Sequence, residues 1–400
     1  MANQDRDNEI REEIRRAKAA PRRRRAGARR TAALVLALLL ALSAAGYAAF
    51  CDAGGMDALR RHLSYNKVAK DSDGRAEMFR FDSDRSARYE LLGKNLLIVS
   101  TTRIALLGEQ GEELWSQAVS FANPAIETGG QTAAVYDVGG TGLYLVGTRG
   151  LVRDMSGESG NGILSASLNA SDYLALTTLK SGGRASVAAY APSGEIVFEV
   201  NSSERYVSDA YVIDDNRHLA AVTLGEADGV FASTLTFYAF DSEKPVGSVT
   251  LGGSMVLSLR AVGGVAAALQ DDRLTLFHAD GSLAGSYRFE YPYLRAQSMS
   301  GANFAVLLLS RYRSGNALRL VSVDAEGEVR GSLDERREIL DVSAAGRYIA
   351  VLYSDSLTVY TPELAEYATL SGTDFARRVI MRTDGTALLL GASRAWLYIP

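Results

Sequence analysis

Beyond residue 90 the chain alternates short apolar runs with clusters of Gly, Asp, Asn and Ser at intervals of 8 to 12 residues, which predicts many short antiparallel strands. No helical periodicity interrupts the pattern. One run recurs in the form apolar, variable, apolar, apolar or aromatic. Its copies are IALL at Ile104, LYLV at Leu143, VAAY at Val187, LTFY at Leu235, LTLF at Leu274, LRLV at Leu318, LTVY at Leu357 and WLYI at Trp396, separated by 39, 44, 48, 39, 44, 39 and 39 residues.

A period near 40 built only of strand signals predicts a β-propeller. A four-stranded blade uses about 40 to 45 residues and buries both its faces only when neighbours stack on it. The repeat around Leu235 shows a full blade: VSDAYVI as inner strand A, HLAAVTL as B, STLTFYAF as C and PVGSVTL as outer strand D. Turns such as Asp214-Asp215-Asn216, Ala345-Gly346 and Asp384-Gly385 suit tight A–B hairpins. The last repeat reaches Pro400 just after its C strand, while residues 76–82, AEMFRFD, form a strand without a blade ahead of the first repeat. Pairing of these two segments would close a ring and leave no exposed edge. The expectation is an all-β, eight-bladed propeller over residues 76–400, with seven blades as the alternative.

Upstream the pattern changes. Residues 31–50, TAALVLALLLALSAAGYAAF, are twenty consecutive uncharged residues, and a helix of that length spans about 30 Å, the hydrocarbon thickness of a bilayer. Arg22, Arg23, Arg24, Arg25, Arg29 and Arg30 precede it, and the positive-inside bias holds such a cluster in the cytoplasm. The domain map that follows is a basic cytoplasmic tail over 1–30, a transmembrane signal-anchor helix over 31–50, a linker over 51–75 with a short helix near Asp57 to Val68, and the propeller outside the cytoplasm. A cleaved signal peptide is the rival reading, since Ala44, Ala45 and Gly46 offer a cleavage site. The bulky Phe50 before Cys51 ill suits a lipoprotein cysteine.

Charge sharpens this picture. The formal net charge of −4 conceals eleven basic against five acidic residues in 1–30, and 32 against 42 in the remainder. An acidic main domain repels phosphates, so nucleic acid is not an expected partner. The single cysteine, Cys51, permits neither an intramolecular disulfide nor a thiolate metal cluster, so burial must stabilise the domain.

The stretch IALLGEQGEELW, with Ala105, Gly111 and Trp115, resembles the tryptophan-docking repeat of quinoprotein-like propellers. Only one repeat carries it well and the chain has two tryptophans, so no cofactor is expected. The basic tail, anchor and degenerate propeller together resemble an uncharacterised family of bacterial membrane-anchored propeller proteins. That resemblance implies a fold and a location in the cell membrane, not a reaction.

Catalytic signatures are missing: no P-loop, no nucleophile elbow and no His-Glu-x-x-His occurs. His62, His218 and His278 read as linker and turn residues, and Asp271-Asp272 as a hairpin turn. The more informative signal is where connections lengthen. The B–C connections LKSGGRAS, LGEADGVFAS and LSRYRSGNA and the D–A connections SSERYVSD and FEYPYLRAQ share one propeller face. They carry Arg205, Tyr206, Phe231, Tyr291, Tyr293, Arg295, Arg311, Tyr312 and Arg313, and Tyr and Arg combine apolar area with directional hydrogen bonds at binding hot spots. The sequence therefore points to a non-enzymatic binding or scaffold module of the cell envelope, engaging a protein, peptide or cell-wall polymer. A transmembrane sensor and a propeller hydrolase or lyase are the alternatives. A central pocket lined by carboxylates of raised pKa would favour the enzyme.

Overall fold

The computed structural model describes residues 55–400 except 83, 85–86, 158–159, 181–183, 203–204, 228 and 243, together with residues 11–13, 15 and 43. The chain divides into two units, residues 1–67 and 68–400. In the first, helix α1 spans Gly55–Tyr65, with Asp57 in the first turn, where a negative charge complements the helix dipole. Among the described residues no helix is long and apolar enough to cross a membrane. The apolar segment expected to span one, residues 31–50, lies outside the described residues apart from Ser43.

Among the described residues the second unit holds thirty-two strands in eight four-stranded antiparallel sheets. The eight recurring apolar runs all fall in third strands, from Ile104 in Arg103–Leu107 to Trp396 in Arg394–Tyr398. The expected eight-bladed propeller is thus the fold, and the seven-bladed alternative is excluded. Blade 4 runs Tyr206–Val212, His218–Ala227, Val230–Ala239, Pro245–Thr250, matching the A-to-D reading of that repeat. Asn216 and Gly346 sit in A–B turns at φ of 59° and 57°, the left-handed conformation these hairpins require.

Burial explains why the middle strands read as continuous apolar runs while the outer ones alternate. Each middle strand is sandwiched between two neighbouring blades, so both its faces are dry; Phe304–Ser310 and Tyr348–Tyr353 are buried throughout. Outer strands such as Pro245–Thr250 have one wet face and alternate. The core is accordingly not one mass. Eight apolar clusters each straddle one blade–blade interface, and Phe237 and Phe277, for example, join blades 4 and 5. Successive residues of one strand serve different interfaces: Leu97 packs between blades 1 and 2, whereas Ile98 faces the opposite way, between blades 8 and 1.

The ring closes between its ends. Strand Arg75–Arg80 pairs antiparallel with Arg394–Tyr398 as the outer strand of blade 8, Arg75 standing opposite Tyr398 and Arg80 opposite Arg394. It therefore begins at the face that holds the A–B and C–D turns. A backbone clasp secures the junction: the Ile399 amide donates to the Gly74 carbonyl at 2.9 Å. Gly74 has φ of 86°, and a Cβ there would lie 2.3 Å from the Ile399 carbonyl oxygen. Gly74→Ala is expected to lower unfolding stability by about 1–3 kcal/mol through backbone strain, read by denaturant titration. An unchanged midpoint would mean that the clasp contributes nothing to closure.

One connection departs from the sequence reading. LGEADGVFAS, read as an extended B–C loop, is mostly strand: His218–Ala227 and Val230–Ala239 stay in register out to the pair Ala227 and Val230. The glycines and acidic residues mimic a loop, but Val230, Phe231 and Ala232 continue the ladder, and only the tip turns. Blade 4 thus extends a β-hairpin beyond the ring.

Candidate functional site

The nine residues expected to form a binding face lie on or beside the B–C and D–A connections, but they form two groups, because blade 5 stands between blades 4 and 6. In the first, the Arg205 guanidinium donates to Thr234 Oγ1 at 3.0 Å, and Arg184 lies over the Tyr206 ring at 4.6 Å. Tyr206 is 51% exposed, and Phe231, on the blade 4 hairpin, 49%. In the second, Arg313 lies 5.8 Å from the Tyr293 ring centre and Arg311 5.9 Å from that of Tyr312, itself 56% exposed. Tyr291 packs against the apolar cluster of blades 5 and 6 and is covered by Arg319 at 5.0 Å, which makes it a packing residue. Arg295 is exposed at the start of the inner strand of blade 6.

A second site goes beyond the sequence reading. The inner strands enclose a central cavity of about 1060 Å³, and its wall carries Glu90 of blade 1, Glu127 of blade 2, Arg260 of blade 5, Asp341 of blade 7 and Arg378 of blade 8. Recurrent bulges help to aim these groups. The inner-strand register slips between Val207 and Asp209 in blade 4 and between Ile339 and Asp341 in blade 7, so each aspartate directly follows a bulge. Both then play the same part. Asp209 Oδ2 accepts from the Leu259 amide at 3.0 Å and faces Arg260 at 3.4 Å; Asp341 Oδ2 accepts from the Val379 amide at 3.0 Å while its Oδ1 faces Arg378 at 3.5 Å. Each aspartate ties its blade to the next.

Arg260 reaches further. Besides Asp209 it ion-pairs with Glu127, and blades 5 and 2 are not neighbours, so this side chain crosses the cavity as a strut. Burial opposes its charge, but Glu127 and Asp209 outweigh that and raise its pKa. Burial likewise raises Glu127, Arg260 pulling it partly back, and raises Asp341 against the Val379 amide and Arg378. Glu90 differs from all of these. It accepts no hydrogen bond and pairs with no cation among the described residues, while burial, reinforced by the charges of Glu127 and Asp341, lifts its pKa to about 7.

Elsewhere His218 and His278 keep turn roles, His218 Nδ1 meeting Asp215 Oδ2 at 2.6 Å across an A–B hairpin, while His62 lies in helix α1. Among the described residues no group of three His, Cys, Asp or Glu side chains is placed to hold a metal ion. The sequence does contain a trace of the cavity, since the inner strands RYELL, PAIET, YVSDAYV, VLSLRAV and ILDVSAA each carry one charged residue beyond their first position.

The family model described as "Family of unknown function (DUF5711)" matches residues 66–366. No curated protein matches the chain. Among solved structures, the C-terminal WD40 domain of Sif2 is similar over 83% of this chain and all of its own, at 12% identity and a TM-score of 0.56. BamB from Moraxella catarrhalis is similar over 81% of this chain and all of its own, at 11% identity and a TM-score of 0.51. At such identities the likeness is one of fold.

Proposed function

The chain belongs to DUF5711, a family of unknown function, and we propose that it is a membrane-anchored binding or scaffold module of the bacterial cell envelope, with its propeller outside the cytoplasm. The observation that carries this reading is the pair of exposed Tyr–Arg and aromatic groups on the face of the B–C and D–A connections, with Tyr206, Phe231 and Tyr312 each about half exposed. Aromatic rings backed by guanidinium groups suit a protein or peptide partner, because they bury apolar area while keeping directional polar contacts. The closing strand starts on the face opposite these aromatic groups.

A photo-crosslinker placed at Tyr206 or Tyr312 in the full chain, in cells, is expected to trap the same discrete envelope protein, and one placed at Asp384 in an opposite-face turn is not. Equal products from both faces, or none from the aromatic face, would end the proposal. A second reading, a propeller hydrolase or lyase, is favoured by Glu90, whose pKa near neutrality suits general acid–base work. It needs a substrate seated in the central cavity, where Glu90 stands in the wall.

A further inference from the structure

The Arg260 strut divides the cavity unequally. Lining residues come mainly from blades 1, 2, 5, 6, 7 and 8, whereas blade 3 contributes only Leu168 and Ala170 and blade 4 only Tyr211 and Asp214. The open part therefore lies on the side of Glu90, Asp341 and Arg378. Its charges are not equally satisfied. Glu127 and Asp209 share Arg260, and Asp341 has Arg378 and a backbone amide. Glu90 has neither a cation nor a hydrogen-bond donor among the described residues, although it is only partly exposed, in the wall of the cavity.

An isolated carboxylate in such surroundings is strongly disfavoured unless something supplies the missing charge and donors. From its place in the wall of an open cavity, we propose that Glu90 is the counter-ion of a small organic cation bearing a primary ammonium group, bound in the open side of the channel. The volume, about 1060 Å³, admits a metabolite-sized molecule. An ammonium ion brings one positive charge and several N–H donors to a carboxylate that has no partner. A divalent metal fits less well, because no third ligand of the usual kind stands close enough among the described residues.

The test is calorimetric titration of the full chain, in detergent micelles at low salt, with putrescine as probe. Saturable binding is expected at pH 8.5, at least tenfold weaker in Glu90→Gln. Between pH 8.5 and 5.5 putrescine keeps its charge while Glu90 gains a proton, so wild-type affinity is expected to fall at least tenfold, and the Gln variant to show a much smaller change. Arg88, Glu127, Asp214, Arg260, Asp341 and Arg378 face the same cavity, and the variant separates their titration from that of Glu90. The pH series on the wild type stands even if the variant folds poorly. No saturable binding at millimolar putrescine, equal affinity in the variant, or displacement by equimolar Mg²⁺ would overturn the assignment. Such a failure would leave the aromatic face untouched, since that face lies on other elements.

Discussion

At pH 8, Glu90→Gln is expected to make the ligand-free protein more stable, by up to about 3 kcal/mol, with the gain vanishing near pH 4. The pKa of Glu90 stands at about 7 in the fold against an ordinary value of 4.5. Between those values the native chain holds a proton that the unfolded chain has lost, so stability attributable to this group falls as pH rises through that window. Above pH 7 the penalty is complete, and about 2.5 pH units of displacement correspond to about 3 kcal/mol. Glutamine keeps the shape and removes the charge. Thermal or denaturant unfolding of both proteins at pH 4, 6 and 8 checks it: a gain that is the same at all three, or none at pH 8, would show that Glu90 is not a destabilised carboxylate.

This effect belongs to a part of the molecule that the sequence barely discloses, and the reason is geometric. Blade number is legible because it depends on a local quantity, the four strands needed before one sheet can stack on the next, and the run from Ile104 to Trp396 repeats it eight times. The blade 4 hairpin reads as a loop because local composition there argues for one, while pairing between Ala227 and Val230 is settled by the ladder behind it. The aromatic residues do fall on or beside connections, yet their division into two groups depends on ring order.

The cavity requires still more. Glu90 and Asp341 meet because the ring closes, bringing together strands more than 200 residues apart. Each is the one charged residue beyond the first position of a short strand, and in sequence that reads as the ordinary alternation of a half-buried surface. Only the inner position of the strand, together with the closing pair of Arg75–Arg80 and Arg394–Tyr398, turns isolated charges into a lined channel.

Arg260→Met is expected to be the most damaging single change in that channel. The guanidinium pairs with Glu127, donates to Asp209 Oδ2 at 3.4 Å and to the Leu259 carbonyl at 2.6 Å, and so ties blade 5 to blade 2 across the cavity. Without it Asp209 keeps Ser165, Ser167 and two backbone amides, but Glu127 loses its cation. Breaking a buried pair from one side typically costs about 3–5 kcal/mol. Arg260 and Glu127 retain 24% and 25% exposure, and the channel water they reach reduces the expected loss to about 2–4 kcal/mol. Its pH dependence identifies the cause. A Glu127 freed of its counter-ion titrates higher than in the wild type, so the deficit is expected to be larger at pH 8 than at pH 5, where the carboxyl can take up a proton. Adding Glu127→Gln to Arg260→Met is then expected to recover part of the loss at pH 8 and little at pH 5. A deficit that ignores both pH and the second substitution would mean that Arg260 acts through the packing of its aliphatic stem, and that the charge spanning the channel holds nothing together.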